Sequence, residues 1–169
     1  MLVLDTSAFI MGFNPSKTTE AYSVQAVEEE LSAGTMPQLR FRMFSEKGEL
    51  KVQTPSPRAQ GIVEDASSRA GESGYLSKAD REVLALAMDL KLDGHEPVIV
   101  SDDYAIQNLA EYLQIGHSSL ANFGIVHRFD WIMYCPACFR RYQPPEKNCR
   151  VCGTALRRKV LSKKKAARR

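Results

Sequence analysis

The chain opens on a short apolar run, Met1 to Leu4, which stops at Asp5 and is followed by Thr6-Ser7. Such a run predicts a buried strand feeding a turn. From Ser23 to Leu31, Val24, Val27 and Leu31 recur at helical spacing, with Glu28, Glu29 and Glu30 around them and Gly34 as a stop. Residues 36–49 mix bases and aromatics (Arg40, Phe41, Arg42, Phe44) and predict a helix with a loose end. Leu50 to Gln53 reads as a short strand closed by Thr54-Pro55-Ser56-Pro57, and Pro57 begins a helical pattern running to about Arg69. Gly71-Glu72-Ser73-Gly74 breaks it.

The clearest helix spans about Lys78 to Lys91, with Val83, Leu84, Ala87 and Leu90 on its apolar face. Ser77 and Asp80 form a capping-box pattern at its start, and Asp93-Gly94 ends it. Val98-Ile99-Val100 is a fully apolar strand, Ser101-Asp102-Asp103 follows, and Tyr104 to Leu113 is again helical. Phe123 to Val126 is expected as one more short strand. Strands alternating with helices predict an α/β fold: a central parallel sheet with helices on both faces.

No internal repeat is visible. The expected organisation is a domain over 1–126, a linker over 127–134, a cysteine module over 135–156 and a basic tail over 157–169. Phe129 to Met133 is either linker or the first strand of the cysteine module. The tail is basic at 8 of 13 positions and is expected to lack fixed structure when free.

Charge changes the picture once it is split by position. The net charge is +3. Residues 128–169 hold thirteen Lys or Arg against two acids, Asp130 and Glu146, a net +11. Residues 1–127 hold ten bases against eighteen acids, a net −8. A basic end on an acidic body points to nucleic acid. The first residues carry no basic leader and no stretch is long enough to span a bilayer, so the expected location is the cytoplasm, with no membrane partner. Four cysteines in a reducing compartment point to metal before disulfides.

Those cysteines form two pairs, Cys135-Pro136-Ala137-Cys138 and Cys149-Arg150-Val151-Cys152, ten residues apart. Each CxxC turn can aim two thiolates at one point, and two turns supply four sulfurs for tetrahedral zinc. About twenty residues make no self-sufficient core, so the metal supplies most of the module's folding energy. Four sulfurs leave no open coordination position, which makes the expected zinc structural. A redox dithiol or four unrelated cysteines are the alternatives. Phe139, Arg140, Arg141 and Tyr142 lie between the pairs and suit contact with nucleic acid, or else simply cover the module.

In an open parallel sheet, ligands collect beyond the carboxyl ends of the strands. Asp5 ends the first strand, and Asp102 and Asp103 follow the Val98–Val100 strand. Asp80 opens a helix at the same edge, and Glu30 sits late on an earlier helix. Carboxylates gathered this way repel one another unless a hard dication joins them. Mg²⁺ or Mn²⁺ on such a cluster can orient a water on a phosphodiester and stabilise the leaving oxygen. The plainer alternative is that these acids cap helices and solvate a helix face. Asp5 fits that alternative worst, because an ionised group directly after a buried strand is costly without a partner. His95, His117 and His127 have no motif around them and are expected at the surface or in packing. Ser7 is open between bonding a carboxylate or phosphate and capping a helix.

The series Val3-Leu4-Asp5-Thr6-Ser7-Ala8, Val27-Glu28-Glu29-Glu30-Leu31, Leu76-Ser77-Lys78-Ala79-Asp80 and Ser101-Asp102-Asp103 resembles a PIN-domain nuclease over residues 1 to about 126. With a zinc ribbon and basic tail added, the chain resembles the Nob (NIN-one-binding) ribosome-assembly endonucleases in their short archaeal form. The most specific piece is Ser101 to Ala110. The resemblance implies a PIN-like sheet and an endoribonuclease that uses one or two Mg²⁺ or Mn²⁺ to trim the 3′ end of precursor small-subunit rRNA. It implies metal-binding, catalytic roles for Asp5, Glu30, Asp80 and Asp103, with Asp102 in reserve. Glu30 is preferred because the family acid directly precedes an aliphatic residue, here Leu31. Asp103 is preferred because PIN sequences tend to read Ser or Thr, any residue, Asp.

The implied partners are that rRNA and the pre-ribosomal particle, gripped by Arg140, Arg141, Arg157, Arg158 and Lys159; a homo-oligomer is also allowed. One structural zinc on Cys135, Cys138, Cys149 and Cys152 completes the set. The rivals are a toxin-like PIN ribonuclease acting on tRNA and a non-catalytic rRNA-binding assembly factor. The polar, Pro-rich stretch from Met36 to Gly74 departs from a clear pattern.

Overall fold

The computed structural model describes residues 1–15, 19–120 and 127–165; for 127–131 and 160–165 it describes the backbone alone. Five three-residue strands build one parallel sheet: β1 (Leu2–Leu4), β2 (Ala21–Ser23), β3 (Leu50–Val52), β4 (Val98–Val100) and β5 (Gly116–Ser118). Their spatial order is β3-β2-β1-β4-β5. The order reverses between β1 and β4, so a crevice opens beyond the carboxyl ends of those two strands. Register fixes what meets there: Leu4 pairs with Val100, so Asp5 and Ser101 leave the sheet side by side.

Helices flank the sheet: α1 (Thr6–Ile10), α2 (Gln25–Glu30), α3 (Met36–Glu46), α4 (Pro57–Ala70), α5 (Lys78–Leu92) and α6 (Tyr104–Tyr112). The longest, α5, buries Val83, Leu84, Leu86 and Leu90. Each such side chain contributes roughly 1.5–3 kcal/mol by leaving water. Ser77 and Asp80 close the capping box that the sequence predicts. α5 packs on β1 and β4 and touches α2, α4 and α6. α1 and α3 meet through Phe9 and Phe41, whose ring centroids are 5.1 Å apart. The stretch from Met36 to Gly74 is therefore two ordinary helices around β3. No helix among the described residues is long and apolar enough to cross a membrane.

Three expectations change. Residues 127–134 are not a linker but strand β6 (His127–Tyr134). Residues 157–165, expected without fixed structure, form β8 (Arg157–Lys165), which pairs antiparallel with β6 along its length. β7 (Arg141–Tyr142) completes this second sheet in the order β7-β6-β8. The physical reason is pairing: a basic strand is poor on its own, yet its backbone groups are satisfied once a neighbour supplies the ladder. β2 and β5 also form where the pattern gives no strand. The strand expected over Phe123 to Val126 lies outside the described residues.

Candidate active site

Asp5 follows β1, is 3 % exposed, and caps α1. Its two oxygens are treated differently. Oδ2 accepts from Ser101 Oγ at 2.8 Å, from Ser7 Oγ at 3.0 Å and from Ser7 N at 3.4 Å. Oδ1 is buried and has no hydrogen-bond partner among the described residues. The two serines are bridges: Ser7 Oγ accepts from Asp102 N at 3.2 Å and Ser101 Oγ from Asp103 N at 3.0 Å. The ends of β1 and β4 are thereby cross-linked through one carboxylate. Burial pushes the Asp5 pKa up, and the donors from Ser101, Thr6 and Ser7 pull against it.

The other acids repeat the pattern of one anchored oxygen. Ser77 N donates to Asp80 Oδ2 at 2.7 Å, Ala105 N to Asp103 Oδ1 at 2.6 Å, and Thr6 Oγ1 to Glu30 Oε2 at 2.8 Å. The three consecutive glutamates of α2 fan out to three destinations. Glu28 pairs with Arg42 at 2.7 Å and Glu29 with Lys78 at 3.1 Å, while Glu30 alone turns to the residue after Asp5. Burial pushes the Asp80 pKa up to about 6, and the Asp5 and Asp103 carboxylates add to that rise against the Ser77 hydrogen bonds. Asp80 thus lies within the field of both. Asp102 faces elsewhere: its Oδ1 accepts from Ser119 Oγ and, at 2.9 Å, from Leu120 N.

The four cysteines converge as their spacing predicts. Their sulfurs lie within 4.8 Å of one another. Cys135 and Cys152 are 3.4 Å apart, Cys138 and Cys149 3.5 Å, and Cys138 and Cys152 3.8 Å. A tetrahedral metal with sulfur bonds of about 2.3 Å needs S···S edges of about 3.8 Å, so the donor set fits one ion. Among the described residues no group of three or more acidic side chains converges this tightly. Each CxxC turn closes the same way, with Phe139 N donating to Cys135 O and Gly153 N to Cys149 O, both at 2.9 Å. Both closing residues have left-handed backbone, at φ 58° and 71°. Gly153 adopts this freely and Phe139 does not.

A family model described as the PIN domain of ribonuclease matches residues 2–90. Endoribonuclease Nob1 of Methanothermobacter thermautotrophicus is 38% identical over 93% of this chain and 91% of its own length. Endoribonuclease Nob1 of Pyrococcus abyssi is 35% identical over 92% and 91%. Ribonuclease VapC1 of Thermoplasma acidophilum is 30% identical over 99% of this chain and 82% of its own length. Both Nob1 matches span more than nine-tenths of this chain. The chain belongs to the Nob1 family of PIN-domain endoribonucleases.

Within this Nob1-family chain, Arg140, Arg141, Arg157 and Lys159 are exposed, whereas Arg158 is not placed as an outward-facing basic residue. Its side chain is 12% exposed and its Nη2 lies 2.6 Å from Glu72 Oε1 on the nuclease domain. Tyr142 is likewise not a simple outward aromatic, because its hydroxyl lies 3.0 Å from Cys149 Sγ. That contact lowers the Cys149 thiol pKa to about 6. Thr6 had no signal of its own beyond following Asp5. Its role appears only when β1 and α2 are brought together.

Proposed function

We propose that this chain is a divalent-metal-dependent endoribonuclease that trims the 3′ end of precursor small-subunit rRNA during ribosome assembly. The carrying observation is the buried Oδ1 of Asp5, which has no hydrogen-bond partner among the described residues. It lies within the field of Asp80, a carboxylate whose proton affinity is raised by burial and, to a lesser degree, by the charges of Asp5 and Asp103. Burying a carboxylate oxygen with no donor is costly unless a cation is its partner. The all-oxygen donor set suits a hard ion, Mg²⁺ or Mn²⁺. Asp5, Glu30, Asp80 and Asp103 would hold it through the oxygens their anchors leave open. When bound, the ion supplies positive charge for the phosphodiester and acidity for an attacking water.

The protein's own part is positioning. Ser7 and Ser101 fix Asp5 against β4, Ser77 holds Asp80 on the α5 cap, and Thr6 brings Glu30 across from α2. Asp103 is preferred to Asp102 because its charge acts on Asp80, while Asp102 is engaged with Ser119 and Leu120. The thiolate cluster is assigned to zinc, the ion that four sulfurs in a closed tetrahedron favour. Arg140, Arg141, Arg157 and Lys159 are the proposed RNA grip.

The deciding experiment is Mn²⁺-dependent cleavage of an RNA spanning the precursor 3′ end. Asp5→Asn is expected to abolish cutting with RNA affinity retained. Undiminished cutting would remove Asp5 from the site. The VapC relatives keep one rival open, a toxin-like nuclease. Preferential cleavage of tRNA over the rRNA fragment would favour that reading instead.

A further inference from the structure

One buried ion pair joins the cysteine module to the nuclease domain. Arg158 on β8 meets Glu72 at 2.6 Å, with side chains 12% and 4% exposed. The same Glu72 oxygen accepts from Asn108 Nδ2 on α6 at 2.8 Å. The Arg158 guanidinium also lies 4.3 Å over the ring of Tyr75. Glu72 and Tyr75 belong to the turn between α4 and α5, which closes with Tyr75 N donating to Glu72 O at 2.9 Å. Arg81 of α5 pins the turn from the other side, donating to Ser73 O at 2.7 Å. Leu76 is buried next, and Ser77 then caps α5 and holds Asp80.

We propose that Arg158 is a positioning residue for the cleavage site, acting through Glu72 and the turn to set Asp80. This rests on the reading that Asp80 helps to hold the divalent ion. A buried ion pair is a poor device for stability alone, since apolar residues of similar volume often do as well. It is a good device for orientation, because it is satisfied in one arrangement of its partners. The planar guanidinium, set between a carboxylate and a ring face, makes the docking of β8 and the shape of the turn one event. The β-sheet that carries the exposed RNA-facing bases is thereby coupled to the start of α5.

The test uses the full zinc-loaded chain with Glu72→Gln, Arg158→Gln and the double variant. Mn²⁺ binding is read by electron paramagnetic resonance, RNA affinity without Mn²⁺ by filter binding, and the turn by amide exchange. Either single variant is expected to weaken Mn²⁺ binding about tenfold, in the range seen for residues that orient metal ligands. The double variant is expected to add little to either, because both changes break one link. RNA affinity should stay within about twofold, and amides over 72–80 should exchange about tenfold faster. Weaker RNA binding with unaltered Mn²⁺ affinity and unaltered exchange over 72–80 would make Arg158 an RNA contact and overturn the proposal. So would effects that multiply in the double variant. If the unmodified chain binds no Mn²⁺, the nuclease-site reading fails by itself, and exchange over 72–80 still decides whether Arg158 sets the turn.

Discussion

At the scale of single residues, the site is an exercise in holding negative charge where it does not want to be. Asp80 carries the clearest consequence. Its folded pKa is about 6, above its ordinary 3.8. The folded chain therefore binds that proton more tightly than the unfolded chain. The protonated form favours folding fully below about pH 4, and this contribution is lost as pH rises through about 6. The full shift corresponds to about 3 kcal/mol, and solvent screening at a partly exposed group reduces it to on the order of 1 kcal/mol. Without added Mn²⁺, Asp80→Asn should melt a few degrees above the unmodified chain at pH 7.5 and level with it at pH 4. Comparing the two proteins cancels any change in the cysteine cluster common to both. Added Mn²⁺ should raise the melting temperature of the unmodified chain above pH 6 and leave Asp80→Asn nearly unmoved. A melting difference that is the same at both pH values would mean that folding does not raise the Asp80 pKa.

At the scale of elements, two short motifs set the geometry. The α5 cap fixes Asp80, so Ser77→Ala should cost about 1 kcal/mol of stability and weaken Mn²⁺ binding as well. Unaltered Mn²⁺ affinity in that variant would show that the cap and the site are independent. In the cysteine module, Tyr142 donates to the Cys149 sulfur. Tyr142→Phe should lower zinc affinity about tenfold, read by competition with a chelator. Full retention would return Tyr142 to a covering role. The elements with strong periodicity, α5 and α6, were legible in the sequence, α3 and α4 followed from a weaker pattern, and the apolar β1 and β4 pair that forms the crevice was legible as well. β2 and β5 were not. Ala21-Tyr22-Ser23 and Gly116-His117-Ser118 carry no strand pattern; they are strands because β1 and β4 offer them partners. The same holds for β8, whose charge predicts a solvated tail until β6 pairs with it. Among site residues, the acids announce themselves by position after strands and before helices. Thr6, Arg158 and the parting of Asp102 from Asp103 depend on contacts between distant segments, which local pattern does not encode.

At the scale of the whole molecule, the charge split acquires a structural meaning. The acidic body holds the candidate carboxylates, and the basic end is a sheet beside the cysteine cluster, with Arg140, Arg141, Arg157 and Lys159 exposed. A polyanion is drawn to one end and repelled from the candidate carboxylates unless a dication sits there, so cleavage should need both the grip and the metal. Each phosphate contact on a single strand contributes about −0.7 to the slope of log affinity against log salt. Replacing all four exposed bases by Ala should flatten that slope by as much as about 3 and weaken binding with little dependence on sequence. Arg158→Gln should leave the slope alone, since its charge already belongs to Glu72. The contrast separates grip from geometry within one strand, where alternate residues face opposite ways. A salt slope that falls equally for Arg158→Gln and for Lys159→Ala would mean that β8 leaves the nuclease domain when RNA binds.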